Sequence, residues 1–333
     1  MLRRWSSLAL LALAVVVSAD RGGDDDTVVN MVERIIPLRT HTIVPPYVDT
    51  DLQNRWWDFG ADAVINTNKH IRLTQDRPSQ TGWLWSRMPL SVPNWQIDVE
   101  FKVDGKAHNL FGDGFALWIA KDRAKVGPVF GSVDYFNGLG IFFDTYANSR
   151  HSYQWPRVTA MLGDGKTSYD HDHDNAANEI AGCSENFRRR DIPTKARLSY
   201  IKGKVLQLKL QTKMENEWTT CFELPLDLPD HPFIGFSALT GDVSDDHDIV
   251  SVNTASLTLR PEFRDDPKQK PMAASGAASG VANPKPIKGK MKGREPKKSG
   301  GAAGWFLFIL KAIGVMAFIA FSVAAYKKSK RAW

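Results

Sequence analysis

Four short stretches of this sequence hold side chains that could act together. In Gly138-Leu139-Gly140-Ile141-Phe142-Phe143-Asp144-Thr145-Tyr146-Ala147-Asn148, an apolar strand runs into Asp144 and Asn148 with Tyr146 between them. Such a loop can wrap a Ca2+ ion with a carboxylate, a backbone carbonyl and an amide oxygen, the hard donors that calcium selects. The same residue types after a strand also make an ordinary turn. Tyr169-Asp170-His171-Asp172-His173-Asp174 follows a Gly-rich turn, Gly163 to Gly165, and sets carboxylates and imidazoles side by side. Adjacent carboxylates repel unless a cation joins them, so this is either a metal loop or a solvated acidic one. Zinc could use His171 and His173 with carboxylates, but neither Cys-x-x-Cys nor His-x3-His spacing accompanies them. Thr240-Gly241-Asp242-Val243 leads to Asp245-Asp246-His247-Asp248, and Gly241 would let a backbone N–H approach a ligand closely. Gly112-Asp113-Gly114, ahead of Phe115-Ala116-Leu117-Trp118, places one more carboxylate at a strand edge.

The elements that must position these loops are strands. From about Val28 to Pro261, short alternating or β-branched runs are separated by Gly, Pro, Asn and Asp, and no helix-period segment stands out. The clearest strand is Trp95 to Val103, with Trp95, Ile97, Val99, Phe101 and Val103 on one face and Gln96, Asp98, Glu100 and Lys102 on the other. Phe115 to Ala120, Gly140 to Phe143, Val158 to Leu162, Ala196 to Ile201, Val205 to Gln211, Trp218 to Leu224, Phe233 to Leu239 and Ile249 to Leu259 read the same way. Lys202-Gly203-Lys204 and Glu215-Asn216-Glu217 read as hairpin turns. So many strands, rich in Trp and Phe, suit one all-β, two-sheet sandwich.

The two ends set the compartment. Residues 1–19 carry Arg3 and Arg4, an apolar run from Leu8 to Val17 and a Val17-Ser18-Ala19 finish, the pattern of a secretory signal peptide. A luminal domain over 20–262 follows, then a basic, Gly/Pro/Ala/Ser-rich stalk over 263–303 that is too poor in large apolar side chains to form a core. Residues 304–326 read as a transmembrane helix: Trp305 to Tyr326 is broken only by Lys311 and reaches roughly 33 Å at about 1.5 Å per residue. Residues 327–333 then form a short basic cytoplasmic tail, giving a single-pass type I protein in the lipid bilayer. The net charge of +6 is uneven, since residues 263–333 carry 15 Lys/Arg against 3 Asp/Glu. The body is therefore acidic, which excludes nucleic-acid binding by the folded part. Two cysteines in a translocated chain, Cys183 and Cys221, are most simply one disulfide, with free thiols as the alternative.

The ordered stretches GDGFALW (112–118), GPVFGS (127–132), GLGIFFDTYAN (138–148), YDHDHD (169–174) and DDHDI (245–249) resemble the L-type, legume-lectin-like cargo receptors of the early secretory pathway, and among them the short, vesicular integral-membrane branch. The resemblance covers about residues 30–260. It implies a legume-lectin-like β-sandwich that binds high-mannose N-glycans of cargo glycoproteins with the help of Ca2+, in the ER, the ER–Golgi intermediate compartment or the Golgi. It implies Asp144, the carbonyl of Tyr146, Asn148 and Asp174 as calcium ligands. Sugar contacts would come from Asp113, Asn148, His171, Gly241, Asp242, Val243 and Ser79. Cys183 and Cys221 fall where the family's disulfide lies.

Departures from the longer branch matter too. Ala147 and Ser149 stand where that branch has carboxylates for a second calcium, which points to one Ca2+ site here, and the stalk lacks the apolar heptads of a coiled coil. Lys330, Arg331 and Trp333 resemble the family's terminal sorting signals for COPI or COPII coats, with Arg331 in place of a second lysine. A glycosidase would need paired carboxylates about 5–10 Å apart. Asp98 and Glu100 share a face, but no Glu-x-Asp-x-x-Glu pattern follows, so no enzyme activity is expected. The rival reading is a membrane adaptor of the same fold that recognises cargo protein directly. Protonation of His171, beside carboxylates that hold the metal, would weaken binding in an acidic compartment.

Overall fold

The computed structural model describes residues 26–150 and 152–264. The expected signal peptide (1–19), nearly all of the expected stalk (263–303), the expected membrane span (304–326) and the expected tail (327–333), with Lys330, Arg331 and Trp333, lie outside the described residues. Among the described residues, no helix is long and apolar enough to cross a membrane.

A single turn of helix, α1 (Thr27–Met31), is capped by Asp26, whose carboxylate accepts from the N–H groups of Val28 and Val29. Among the described residues, all else of regular structure is strand apart from three 3-10 turns. In chain order these are β1 (Val32–Pro37), β2 (Trp57–Ala61), β3 (Val64–Asn66), β4 (His70–Thr74), β5 (Thr81–Ser86), β6 (Asn94–Asp104), β7 (Gly114–Ala120), β8 (Asn137–Asp144), β9 (Arg157–Asp164), β10 (Ala181–Ser184), β11 (Thr194–Ile201), β12 (Val205–Gln211), β13 (Thr219–Leu224), β14 (Phe233–Leu239) and β15 (Asp246–Leu259). The expected strands are all present, and β12 and β14 match the expected bounds. Residues 246–248 differ: they extend β15 instead of forming a loop, because β4 and β6 pair with them on either side.

Two antiparallel sheets result. One runs β13-β12-β11-β6-β15-β4-β3, with β1 also paired to β15, and the other runs β10-β9-β8-β7-β14-β5-β2. The alternating residues of β6, Trp95 to Val103, turn inward against Phe115, Leu117 and Ile119 of β7 and Leu139, Ile141 and Phe143 of β8. The second sheet is also covered on its far side, where Trp118, Phe130, Phe136, Phe142 and Tyr169 make a second apolar cluster. Double coverage explains why β7 is buried at every position and reads as a continuous apolar run. Cys183 and Cys221 form a disulfide, Cα–Cα 5.3 Å, joining β10 in one sheet to β13 in the other. Past Leu259, Phe263 packs on Val28, Ile201 and Leu257, so the folded body reaches slightly beyond residue 262.

Candidate functional site

Antiparallel register gathers the loops. Leu239 at the end of β14 pairs with Thr81 at the start of β5 and with Gly114 at the start of β7. Gly114 in turn pairs with Asp144 at the end of β8. Ser79, Asp113, Asp144 and Gly241, spread over 163 residues, therefore meet at one end of one sheet. The segment after β9 returns over the sheet's outer face, where the Tyr169 ring packs 4.9 Å from Phe142, and it delivers His171 and Asp174 to the same end. Asp174 and Asn175 take left-handed backbone angles, φ 50° and 55°, which Asp and Asn tolerate better than most residues.

The result is a cleft of about 120 Å3 lined by Asp113, Pro128, Phe130, Asp144, Tyr146, Asn148, Tyr169, His171 and Leu239. Asp144 and Asp174 are both buried, at 4% and 5% exposure. Asp144 accepts the Tyr146 N–H at 2.9 Å. Asp174 accepts the backbone N–H (2.9 Å) and amide Nδ2 (2.8 Å) of Asn148 through Oδ1, and the Ser149 N–H through Oδ2 at 3.1 Å. One of the two N–H donors of the Asn148 amide is thus given to Asp174, and its oxygen is the atom it can offer a cation. Burial pushes the Asp144 carboxyl well above the usual range, and the charges of Asp174 and Asp113 add to this. Among the described residues no basic side chain pairs with Asp144.

Asp113 is pushed up to about 6, chiefly by burial and further by Asp242, against the pull of the Gly241 N–H. Its own carbonyl accepts from both the N–H (3.0 Å) and the hydroxyl (3.1 Å) of Thr145, tying the first two loops together. The closeness of Gly241 is to Asp113: a Cβ there would lie 3.2 Å from Oδ2. A Cβ on Gly112 would fall 2.9 Å from both Tyr146 Cβ and Val243 Cγ2, so Val243 also packs into the loop cluster. Asp242 is exposed. Ser79 is exposed as well, and its N–H donates to the Gly241 carbonyl at 3.1 Å.

Other motif residues are structural. His173 turns to Asp170 at 2.8 Å, while His171 lies on the Tyr169 ring at 4.8 Å, so the two imidazoles do not form a zinc pair. Asp245 is bound bidentately by Arg188 at 2.6 and 2.7 Å, and Asp248 by Arg72 at 2.7 and 2.8 Å. Asp98 and Glu100 pair with Arg197 and Lys195. A larger cleft of about 520 Å3 is lined by Arg72, Asp76, Asp104, Lys106, Arg189 and Asp246, whose charges are largely matched to one another. Sequence reasoning missed the apolar wall of the small cleft, Pro128, Phe130 and Tyr169. The signal was at hand, because GPVFGS and YDHDHD contain all three.

Among the described residues no three His, Cys, Asp or Glu side chains converge on a point. The calcium set fits all the same, because it needs only two carboxylates beside an amide and a backbone carbonyl, all hard oxygens. A buried, mutually repelling carboxylate pair is the observation that asks for a cation.

The family model for the legume-like lectin family matches residues 36–262. The chain belongs to that family. An L-type lectin-like domain-containing protein of Schizosaccharomyces pombe is 41% identical over 224 residues, covering 66% of this chain and 72% of that protein. Vesicular integral-membrane protein VIP36 of Mus musculus is 40% identical over 227 residues, which span 66% of this chain and 62% of VIP36. The crystal structure of the VIP36 exoplasmic/lumenal domain in a Ca2+/Man3GlcNAc-bound form superposes with a TM-score of 0.63 at 38% identity, covering 67% of this chain and 92% of that one. Membership of the legume-like lectin family sets this chain among lectin-like proteins and not among enzymes.

Proposed function

We propose that this protein is a calcium-dependent lectin that binds high-mannose N-glycans and carries glycoproteins between ER and Golgi as a single-pass type I membrane receptor. The observation that carries the reading is the buried Asp144–Asp174 pair, lacking a basic partner at Asp144, in the same cleft end as Asp113 and His171. VIP36, a relative at 40% identity whose lumenal domain has been crystallised with Ca2+ and Man3GlcNAc, supports it. Asp144, the Tyr146 carbonyl, Asn148 and Asp174 would hold the ion, whose two positive charges would relieve the carboxylate repulsion and fix the loop in advance. Asp113 would accept from sugar hydroxyls, with His171, Asn148, Ser79 and the 241–243 loop around it. The stalk, membrane span and terminal Lys330, Arg331 and Trp333 would place this domain in the lumen and present a coat-binding tail to the cytosol.

Calorimetric titration of the full-length chain with a high-mannose oligosaccharide, in Ca2+ and after chelation, tests the reading. We expect binding in calcium, none after chelation, and none for Asn148→Ala. A folded, calcium-loaded sample that binds no glycan would turn the function towards direct recognition of cargo protein.

A further inference from the structure

Arg157 stands directly opposite Asp144 in the β8–β9 register. Opposed residues of an antiparallel pair point to the same face with Cβ atoms about 4.5–5.5 Å apart, well within the span of an arginine. Yet the guanidinium is turned to the other neighbour. Its Nη2 donates to Glu179 Oε1 at 2.5 Å, and its carbon lies 3.9 Å from the centre of the Tyr153 ring. The pair sits over Gly182 of β10, where a Cβ would fall 2.7 Å from Glu179 Oε1 and 3.1 Å from Arg157 Nη2. Arg157 is 7% exposed, and its Nε has no hydrogen-bond partner. A buried cation with a donor to spare thus stands one strand away from the buried carboxylate that lacks one.

We propose that Glu179 is a positioning residue of the calcium loop: by holding Arg157 over Gly182 it keeps the Asp144 carboxylate open to a metal ion. The inference rests on the calcium reading above. A guanidinium and a calcium ion compete for the same carboxylate oxygens, and an arginine–carboxylate pair is strong in a buried setting. Without Glu179, Arg157 is a buried charge without its partner, an expensive state that a shift to Asp144 relieves.

The test is calorimetric titration of the full-length protein with CaCl2 at neutral pH, for wild type, Glu179→Gln and Arg157→Met/Glu179→Gln, with circular dichroism reporting the fold. We expect Glu179→Gln to bind calcium about 10-fold or more weakly, the range typical of residues that orient metal ligands. The double variant, with no competing cation, should return to within about 3-fold of wild type, a recovery that a merely structural loss would not show. Wild-type affinity in a folded Glu179→Gln chain overturns the proposal, as does a double variant as weak as the single one. If Glu179→Gln does not fold, the double variant decides: near-wild-type affinity supports the proposal, and a loss of about 10-fold or more overturns it. Wild type that binds no calcium overturns the calcium reading itself, which separates the two failures.

Discussion

Asp113 has an unfolded value of 3.8 and a folded one pushed up to about 6, so in the metal-free protein its neutral form is favoured. The stabilisation from holding that proton is complete below about 3.8 and is lost as pH rises through about 6, above which the fold carries an unwelcome charge. Buried His41 and His247 and half-buried His70 act in the opposite sense. Burial depresses all three, so their contribution is present above about 6.5 and falls away in acid. A melting curve of wild type alone mixes the two effects. Comparison with Asp113→Asn in chelator separates them: the variant should melt higher than wild type at about pH 7.5, and the difference should shrink as pH drops below about 6. A difference that does not change with pH would refute the account. Sugar hydroxyls need the ionised carboxylate, so glycan affinity should fall over the same acidic range.

At the scale of elements, Asp113 depends on the loop that precedes β7, and one buried cation clamps that loop. Arg188 is 6% exposed and binds Asp245, which is fully buried. Its Nη2 also donates to the Ala107 carbonyl at 2.9 Å, and its guanidinium lies 3.7 Å from the centre of the Phe111 ring. Arg188→Met would leave Asp245 without its cation and should cost about 3–5 kcal/mol in denaturant unfolding. Arg188→Met/Asp245→Leu should recover much of that, because an apolar pair needs no solvation. A loss below about 1 kcal/mol in the single variant would mean that the pair is not the clamp. Neither Arg188 nor Arg157 was legible as a partner in the sequence, since Asp245 lies 57 residues from Arg188 and Glu179 lies 22 from Arg157. What was legible was local: β6 and β12 from their alternation, β14 from a compact apolar run, and the carboxylate loops from their ordered motifs. The strands β1 to β5 and the four-residue β10 were not read. β3 is only three residues long, and β5, Thr81–Ser86, carries Trp83 and Trp85 towards one face and Leu84 towards the other, which blurs the period of two.

The two sheets are held together by their shared core and by one covalent link. Cys183 and Cys221 are 38 residues apart in sequence and join β10 to β13, so the disulfide closes the sandwich along one edge. That edge is thin, because β10 has only four residues and pairs with β9 alone. Removing the link by Cys183→Ala/Cys221→Ala should cost about 2–4 kcal/mol on the loop-closure account. For a folded body of this size that lowers the melting temperature by roughly 5–15 °C. The consequence should reach the site, because Gly182, the cradle of the Arg157–Glu179 pair, is the neighbour of Cys183. A frayed β10 frees Arg157 as removal of Glu179 does, so the cysteine-free variant should also lose calcium affinity, and Arg157→Met in that background should restore it without restoring the melting temperature. Calcium titration and thermal melting of the same samples separate the two effects. If affinity and stability recover together, the disulfide acts on the fold as a whole, and the path through Arg157 is wrong.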